Sequence, residues 1–593
     1  MRNILKSLGR LELAFGACAL VLILVQVWLD LLLPDYMARI TKLVQTEGTA
    51  VSVILSAGEA MLLCALGSFV AQLAMRYVTA RLSAGFGRNL RERVFNRIVG
   101  FSSAEFGEFS VSSLITRCTN DVSRVQGTIM MGLHSFFKAP ITAIWAISKI
   151  AGRSWQWSVA TGVAVVVMVA LIGSLMAIVV PRYMRVQELT DDLNRVTREN
   201  LNGIQVIRAY NAEASQGAKF DATNDDLTGN NLFTGQVMNV MSPAMGLINS
   251  GLSLAIYWIG VFVIAAAGQG QKLTLFSDMV VFSSYAMQVL MSFTMLTMTF
   301  VRLPQAMVSV RRISEVLDAH ASIEDGPLGE KDVPAPATGG SVEFRNVSFH
   351  YPDGEELSLV DVSLTVEPGQ TCAFIGTTGS GKSTLINLVP RLFDVCEGSV
   401  LVDGVDVREW EQTVLRDRIG FVPQQAMLFS GTVASNVSYG ESRQVASEEE
   451  KVAAIHEALD VAQASEFVDA LPEGIDAPVA QGGDNFSGGQ RQRLTIARAV
   501  YSAPEIYIFD DSFSALDFKT DRNLRTALAT HAKGVTKLIV AQRIGTIMDA
   551  DKICVMEAGR VVGVGTHHEL LQTCPTYLKI AQSQLTEEEI ARG

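Results

Sequence analysis

Ten residues in the second half of the chain, IGTTGSGKST, have the types and spacing of a phosphate-binding loop. Four residues separate Gly376 from Gly381-Lys382-Ser383, which fits the pattern GxxxxGK[ST]. The apolar run TCAFI precedes the loop and the helix-forming run LINLVPRLF follows it, as the pattern requires. Glycines let backbone N–H groups surround phosphate oxygens at a helix N-terminus, where the helix dipole favours anions. The expected phosphate-binding residues are Gly376, Thr377, Thr378, Gly379, Ser380, Gly381, Lys382, Ser383 and Thr384.

Three side chains have separate predicted roles around the phosphates. Lys382 is expected to reach the β- and γ-phosphates of a nucleotide, and the Ser383 hydroxyl to ligate Mg²⁺. Asp510 ends the apolar run IYIF and is expected to hold the Mg²⁺ shell, as the acid of the second motif of a P-loop NTPase does. The two motifs occur in the right order and context, so they predict a nucleotide site with Mg²⁺.

Between these motifs lies the run NFSGGQRQRLTIARAV, from Asn485 to Val500. Here the sequence closely resembles the ABC transporter family, whose signature reads LSGGQ with phenylalanine tolerated at its first position. In that family the signature of one nucleotide-binding domain contacts the γ-phosphate of ATP held by another. The resemblance implies ATP and Mg²⁺ as cofactors. It also implies contacts to a partner's ATP from Ser487, Gly488, Gly489 and Gln490.

Other stretches resemble the same family along the chain. Tyr351 in VSFHYP matches the aromatic residue that stacks on adenine, and Gln424 in FVPQQ matches the glutamine that links the Mg²⁺ site to the membrane domain. SALD, residues 514–517, matches the loop that crosses the dimer interface. SLITRCTNDVSRV (113–125) and ENLNGIQVIRAYNAE (199–213) are similar to the two cytoplasmic loops of exporter half-transporters. The resemblance therefore extends over both halves of the chain.

Two positions depart from the family pattern. Asp511 stands where the family has a glutamate that polarises the attacking water, and the missing methylene withdraws the carboxylate by roughly 1.5 Å. A misplaced base typically slows a reaction ~10²–10⁴-fold. Gln542, in LIVAQRIGT, stands where the family has the switch histidine, and a neutral amide cannot carry that histidine's positive charge. Together the two changes predict a site that binds ATP and hydrolyses it slowly.

The departures also predict the partner. In the family each composite site combines the phosphate loop of one chain with the signature of the other. This chain would supply altered hydrolytic residues to one site and an intact signature to the second. We therefore expect a heterodimer with a second half-transporter that has glutamate and histidine at the matching positions. Gln481 and Gly482, where many members have Glu and Arg, also resemble heterodimeric exporters.

The N-terminal half is expected to span a lipid bilayer. Of all residues 49% are hydrophobic and 18% are charged, a low charge content for a soluble protein. A helix needs about 20 apolar residues to cross a bilayer. The six predicted spans are 13–33, 51–75, 135–151, 154–181, about 240–267 and 279–301.

Charge predicts the orientation of these spans. Arginines and lysines concentrate in the segments between the second and third spans and between the fourth and fifth. By the positive-inside rule both segments, both termini and the ATP-binding domain are cytoplasmic in a multi-pass protein of the cell membrane. The predicted fold is multi-domain, with an all-α membrane domain of six transmembrane helices (1–312), a linker (313–340) rich in Pro, Gly and acids, and an α/β P-loop NTPase domain (341–593).

Composition excludes other classes. The net charge of −12 argues against nucleic-acid binding, which uses basic patches. The seven cysteines include no CxxC pair and read as reduced thiols, and no zinc-binding spacing occurs. The adjacent His567 and His568 are expected to be solvated.

The predicted activity is ATP-driven export, with ATP hydrolysis coupled to transport of a small amphipathic or hydrophobic compound, such as a drug or a lipid. A methionine stripe (Met287, Met291, Met295 and Met298) fits either helix packing or a substrate cavity. Three alternatives stay open: a homodimer with two slow sites, an importer of a metal chelate built on the exporter fold, and a regulatory ATP-binding subunit.

Overall fold

The structure is a computed structural model that describes residues 4, 6–46, 48–151, 154–329, 339–352, 354, 356–440, 446–586 and 590. Side chains are described at all of these positions except 269, 270, 298, 300–302, 304 and 305, so Met298 of the methionine stripe lies outside them. The chain divides into two units, one of residues 1–99 and 112–319, the other of residues 100–111 and 320–593.

Long helices make up the first unit. They are α1 (Arg10–Gln45), α2 (Val51–Val99), α5 (Val122–Ile150), α6 (Trp155–Asn202), α8 (Glu213–Asn239), α9 (Met241–Ala266) and α10 (Gln269–Asp318). A helix pairs its own backbone N–H and C=O groups internally, which a bilayer demands because it offers them no water. At about 1.5 Å per residue these helices exceed the thickness of a bilayer and extend beyond it.

Five runs among the described residues are long and apolar enough to cross a membrane: Arg10–Gln45, Val51–Val99, Trp155–Asn202, Glu213–Ala266 and Gln271–Thr297. The predicted third span, 135–151, lies almost wholly in α5, which is not among these five. His134, Lys138 and Lys149 on α5 lower its hydropathy. Five of the six predicted spans thus overlap these runs, and α5 is a helix of mixed polarity.

Aromatic and aliphatic side chains form the core of the first unit. Trp157 and Phe282 are almost fully buried, with ring centroids 5.5 Å apart. The buried Tyr285 hydroxyl donates a hydrogen bond of 2.8 Å to the carbonyl of Leu31. This bond joins α10 to α1, and it satisfies a phenol that would otherwise be buried without an acceptor.

Short helical elements lie between the long ones. They are α3 (Ser103–Glu108), α4 (Val111–Thr116), a π-helical turn (Arg117–Asp121) and α7 (Ile204–Ala209). Ser102 begins α3 with a capping box, in which its side chain and that of Glu105 accept each other's backbone N–H groups. Helix α3 groups with the second unit, where the Ser322 N–H donates to the Glu105 carboxylate at 2.8 Å.

Two sheets organise the second unit. One has the strand order β12-β11-β3-β10-β9-β6, in which every pairing is parallel except β11 with β12. Its strands are β3 (Thr371–Gly376), β6 (Ile419–Val422), β9 (Ile506–Asp510), β10 (Thr536–Val540), β11 (Lys552–Glu557) and β12 (Arg560–Gly565). The other has the order β2-β1-β4-β5 and consists of β1 (Val342–Phe349), β2 (Leu359–Val366), β4 (Glu397–Val402) and β5 (Val405–Asp406). A pair of two-residue strands, β7 (Gly431–Thr432) and β8 (Pro478–Val479), forms a third pairing.

The helices of the second unit that follow β3 are α11 (Lys382–Asn387), α12 (Gln412–Asp417), α13 (Val433–Val437), α14 (Glu448–Val461), α15 (Ser465–Asp469), α16 (Gly488–Tyr501), α17 (Phe518–His531), α18 (Ile544–Ile547), α19 (His567–Thr573) and α20 (Pro575–Gln584). One face of the larger sheet packs against the smaller sheet and α11, and the other against helices that include α16 and α17. Alternate residues of β9 point to opposite faces: Tyr507 and Phe509 enter one hydrophobic cluster, Ile506 and Ile508 the other. The sheet is thus buried on both sides, as parallel sheets usually are.

The predicted linker begins inside a helix. Helix α10 continues past Arg312 to Asp318, and the two units divide between Ala319 and His320. Leu328 forms an isolated β-bridge with Trp410 of the second unit, and residues 330–338 of the predicted linker lie outside the described residues.

Candidate nucleotide site

A cavity of about 690 Å³ opens where strands β3, β9 and β10 end. Ligands of open α/β sheets bind at this carboxyl edge because the strand-to-helix turns meet there. The lining residues are Tyr351, Glu356, Leu357, Ser358, Thr378, Gly379, Ser380, Gly381, Lys382, Ser383, Thr384, Gln424, Asp511, Val540, Gln542, Ala558 and Gly559. Residues 378–384 of the phosphate loop therefore line one cavity with Tyr351, Gln424, Asp511 and Gln542, which the sequence singled out separately.

The backbone of the phosphate loop depends on glycine at position 381. Gly381 has φ +95°, a left-handed conformation that side-chain-bearing residues rarely adopt. A Cβ atom there would lie 3.0 Å from the Ser358 carbonyl oxygen and 2.8 Å from Leu359 Cδ2. The residue directly precedes α11, so this turn sets the direction of the helix N-terminus toward the cavity.

Lys382 is held by its own loop. Its ammonium donates to the carbonyls of Gly376 at 3.0 Å and Thr377 at 2.8 Å, and to the Ser380 hydroxyl at 3.3 Å. Burial lowers the pKa of Lys382, while the charges of the nearby aspartates raise it. Gly376 and Thr377 thus orient the lysine through their carbonyls, although neither lines the cavity.

Ser383 and Asp510 form the candidate metal position. The Ser383 hydroxyl donates to Asp510 Oδ1 at 2.7 Å, and Asp510 is 5% exposed. Burial raises the pKa of Asp510, which the hydrogen bond from Ser383 opposes. A hydroxyl and a carboxylate facing a phosphate loop are the hard oxygen donors that suit Mg²⁺. The residues fit this ion, and Ser383, Asp510 and Gln424 would hold it.

The two departures from the family pattern touch each other. Gln542 Nε2 donates a hydrogen bond of 2.8 Å to Asp511 Oδ2. Asp511 has φ +49°, its N–H donates to the Val540 carbonyl at 3.0 Å, and its own carbonyl accepts from Ser514 Oγ at 2.9 Å. Burial raises the pKa of Asp511, and the bond from Gln542 lowers it. The backbone of Asp511 is therefore hydrogen-bonded on both sides, and its carboxylate is held by Gln542.

Gln584 is a residue that the sequence reasoning missed. Its amide donates to the Gln542 carbonyl at 2.7 Å and accepts from the Ile544 N–H at 2.9 Å. A single side chain from α20 thereby holds the backbone on both sides of Arg543. No local motif marks Gln584, because its partners lie about forty residues earlier in the chain, at separations of 42 and 40.

Tyr351 belongs to an aromatic group at the other end of the cavity. Its ring lies edge-on to Phe349 and Phe393, with centroid distances of 5.1 and 5.3 Å. Its hydroxyl lies 3.0 Å from Thr384 Oγ1. The ring is 36% exposed, which leaves a face available for a flat heterocycle such as adenine.

The signature residues lie outside this cavity. Ser487 begins α16 with a capping box, since its hydroxyl accepts from Gln490 N–H at 3.3 Å and its own N–H donates to Gln490 Oε1 at 2.8 Å. Gly488 is exposed, and none of the four signature residues lines the cavity formed by the described residues of this chain. The signature is therefore separate from the cavity that the phosphate loop of this chain lines.

One expectation from the sequence is wrong. His567 is not solvated: it is 7% exposed, and its Nδ1 lies 2.6 Å from the Tyr577 hydroxyl. His568, its neighbour, is exposed as expected. No group of three or more potential metal-ligating His, Cys, Asp or Glu side chains occurs among the described residues.

Comparisons with known proteins agree with this fold. Residues 359–514 match the family model of the ABC transporter domain, and residues 17–293 match that of the ABC transporter transmembrane region. An uncharacterized ABC transporter ATP-binding protein of Mycobacterium tuberculosis is 40% identical over 538 residues, or 90% of this chain and 88% of that protein. An ATP-dependent lipid A-core flippase of Pseudomonas aeruginosa is 30% identical over 523 residues, covering 88% of this chain and 83% of the flippase.

A solved structure extends the likeness to both domains. A bacterial Atm1-family ABC exporter with ATP bound superposes with a TM-score of 0.80 at 26% identity, covering 97% of this chain and 98% of that one.

The chain therefore belongs to the ABC transporter family. It is an exporter-type half-transporter, in which a multi-pass helical membrane domain is fused to an ATP-binding ATPase domain that drives transport. Half-transporters of this kind act as dimers, which agrees with a signature that lies outside the chain's own cavity.

Proposed function

We propose that this chain is the degenerate-site subunit of a heterodimeric exporter of amphipathic compounds, with both termini and the ATP-binding domain in the cytoplasm. The observation that carries the proposal is the hydrogen bond of 2.8 Å between Gln542 Nε2 and Asp511 Oδ2. It pairs the only two motif positions at which the site departs from its family's hydrolytic residues.

The pairing explains slow hydrolysis physically. A general base has to reach the water that attacks the γ-phosphate, and proton transfer falls off steeply with misplacement. Because the backbone of Asp511 is hydrogen-bonded on both sides, a shift of the backbone toward the nucleotide cannot compensate for the shorter side chain. Its Oδ2 accepts from Gln542, and this bond uses the amide donor that would otherwise face the nucleotide. ATP binding is retained, because Lys382, Ser383 and Asp510 keep their geometry.

The intact signature supports a heterodimer rather than a homodimer. The capping box of Ser487 and Gln490 begins α16 in an ordered turn, and the N–H groups of Gly488 and Gly489 in this first turn have no intrahelical acceptor and can meet an anion. This end would serve the partner's ATP, with Ser487, Gly488, Gly489 and Gln490 as its donors. A competent partner site would use this signature together with its own glutamate and histidine, and hydrolysis there would reset the transporter.

The first experiment identifies the assembly. The tagged chain is extracted gently from its native membrane, and the co-purifying chains are identified by mass. We expect a stoichiometric second half-transporter with Glu and His at the positions of Asp511 and Gln542. A dimer of this chain alone would contradict the heterodimer and favour two slow sites.

The second experiment measures hydrolysis at this chain's own site. The purified assembly is loaded with γ-labelled ATP, free nucleotide is removed, and the decay of bound ATP is followed. Wild type should retain about one ATP per assembly, whereas D511E/Q542H should hydrolyse it ~10²-fold faster because a full-length base is restored. D511N is the matched control and should retain its ATP. Equal decay in wild type and the double variant would refute a slow site.

Export of an amphipathic compound is the transport proposal. It draws on the apolar membrane unit and on similarity to relatives that include lipid A-core flippases. Uptake of a fluorescent amphipath into inverted vesicles on addition of ATP would support export. ATP-driven release from the same vesicles would instead favour the importer, and ion current with a non-hydrolysable nucleotide would favour the regulatory subunit.

A further inference from the structure

Three helices of the membrane unit meet at one carboxylate. Lys138 of α5 donates to Asp30 Oδ2 of α1 at 3.2 Å, and Ser68 of α2 donates to Asp30 Oδ1. The side chains of Lys138 and Asp30 are 20% and 29% exposed, so both remain reachable. Ionisable residues inside a membrane domain are expensive to desolvate and therefore usually mark a functional site.

A second ion pair fixes how α1 and α5 run. Lys149 contacts Asp35 at 2.8 Å, so the two pairs occur in the same order along both helices. The helices are therefore parallel. Gln26 lies one turn before Asp30, and His134 lies one turn before Lys138, so these two side chains share a level on the N-terminal side of the first pair.

Unsatisfied polar atoms continue this cluster on both helices. Gln26 is 2% exposed, and its Oε1 has no hydrogen-bond partner among the described residues. His134 Nδ1 is also buried without a hydrogen-bond partner among the described residues. So is Thr142 Oγ1, which lies one turn beyond Lys138. A buried polar atom left unpaired costs about 1–3 kcal/mol, so several at one place indicate a missing partner.

The two helices offer opposite chemistry. Gln26 Oε1 and the Asp30 carboxylate on α1 are hydrogen-bond acceptors. Lys138, the Thr142 hydroxyl and the single N–H of a neutral His134 ring on α5 are donors. A ligand that carries a cationic donor at one end and an anionic acceptor at the other would satisfy both helices at once.

We infer that this cluster binds the zwitterionic headgroup of an amphipath. The ligand's ammonium would bind Asp30 and Gln26, and its phosphate or carboxylate would bind Lys138, His134 and Thr142. The inference names the substrate class of the exporter and in that respect rests on the proposed function.

A zwitterion is the favoured ligand because its two charges can replace both charges of the ion pair between Asp30 and Lys138. When the headgroup enters between Asp30 and Lys138, each residue loses one opposite charge and gains another. A purely anionic headgroup would compete with Asp30 for Lys138 and leave the carboxylate unpaired. A purely cationic one would leave Lys138 unpaired, and an uncompensated buried charge is strongly unfavourable.

The test measures binding without nucleotide, on the assembly purified from its native membrane. The probes are dihexanoyl-phosphatidylethanolamine, dihexanoyl-phosphatidylglycerol and glycerophosphoethanolamine, and the readout is ligand-induced change in intrinsic tryptophan fluorescence. We expect the zwitterionic lipid to bind at least about tenfold more tightly than the anionic one. This is the smallest change in affinity expected from one hydrogen bond to a charged group. Binding of the chain-free headgroup with equal affinity would identify a small polar zwitterion instead of a lipid.

Variants separate this role from a structural one. K138Q and D30N should each reduce affinity for phosphatidylethanolamine about 10- to 100-fold, since each removes one charged contact. The double variant D30N/K138Q leaves no charge unpaired and should fold, yet should not distinguish the two lipids. D35N/K149Q, the matched change in the second ion pair on the same helices, should bind as wild type does.

Two outcomes would overturn the inference: equal affinity for the two lipids in wild type, or unchanged preference in D30N/K138Q. Neither outcome bears on the heterodimer or on the slow site, which are tested by mass and by ATP decay.

Discussion

Asp511 and Gln542 are 31 residues apart, and the hydrogen bond between their side chains is the structural basis of the slow site that we propose. The same contact lies next to Gln584, whose amide holds the backbone on either side of Arg543. The switch loop is therefore positioned by a residue that contacts only its backbone and does not line the nucleotide cavity. Its role is testable apart from the chemistry.

Q584A should loosen the switch loop. Both hydrogen bonds of the amide are lost, which should lower the stability of the ATP-binding domain by about 1–3 kcal/mol in total, at the usual ~1 kcal/mol for each bond. ATP affinity should stay near that of wild type, while decay of bound ATP changes. Thermal unfolding and ATP titration of the purified assembly measure these effects. Q584E keeps the acceptor for Ile544 N–H and should recover part of the stability; identical unfolding of wild type and Q584A would contradict the role.

The buried His567 predicts a pH dependence of stability. Burial, with a smaller contribution from His568, lowers the pKa of His567, so its protonated form is favoured in the unfolded chain. The stability from its neutral form is present above the ordinary histidine pKa and is lost as pH falls below it. We expect the apparent Tm of the ATP-binding domain to drop between pH 8 and pH 5.5 more in wild type than in H567N. An equal drop would assign the acid sensitivity to other groups.

At the scale of elements, the π-helical turn Arg117–Asp121 joins α5 to α10. Arg117 forms an ion pair of 3.1 Å with Glu315, and the buried Asp121 accepts from Ser309 Oγ at 2.6 Å. A π-helical turn widens the helix locally and often occurs at functional sites. Here it lies in the stretch 113–125 that resembles a cytoplasmic loop of exporters, and it brings both charged side chains into contact with α10.

S309A should destabilise this junction. Asp121 is 2% exposed and its Oδ2 has no hydrogen-bond partner among the described residues, so loss of the serine leaves the other oxygen without its hydroxyl donor. The expected loss is about 1–3 kcal/mol, seen as a lower apparent Tm of the membrane unit in detergent. R311A is the control, because Arg311 is 84% exposed and its pair with Glu315 should contribute less than about 1 kcal/mol. Equal Tm values for S309A and R311A would contradict a special role of this turn.

At the scale of the whole molecule, charge distribution sets the orientation in the membrane. The cationic segments between the long helices predict that the ATP-binding domain is cytoplasmic. The exposed Cys396 of that domain gives a native probe of this prediction.

A membrane-impermeant maleimide should label Cys396 in inverted vesicles and leave it unlabelled in right-side-out vesicles. C396S removes the part of the signal that belongs to Cys396 and separates it from labelling of Cys18, Cys64 and Cys118. A50C, in the exposed connection between α1 and α2, should show the opposite pattern because that connection is predicted to face outward. Labelling of Cys396 from the outside would reverse the topology.

The sequence alone determined the class of the protein, because phosphate loops and signatures act through backbone geometry that a few glycines and hydroxyls encode locally. It likewise located five membrane helices from uninterrupted apolar runs, since the length and polarity of a span are local properties. The prediction of a third span on α5 had weaker support, because α5 contains polar residues. These residues are paired with groups on α1 and α2, and the spacing of apolar residues in the sequence does not reveal such pairs.

Which distant side chains meet depends on the tertiary structure. Three hydrogen bonds join residues that share no sequence motif. They link Gln542 to Asp511, Gln584 to the Gln542 backbone, and the buried His567 to Tyr577. The ion pair of Asp30 with Lys138 spans 108 residues and also has no signal in the sequence. Such contacts depend on how helices and strands pack, and packing is set by the whole chain rather than by any one segment of it.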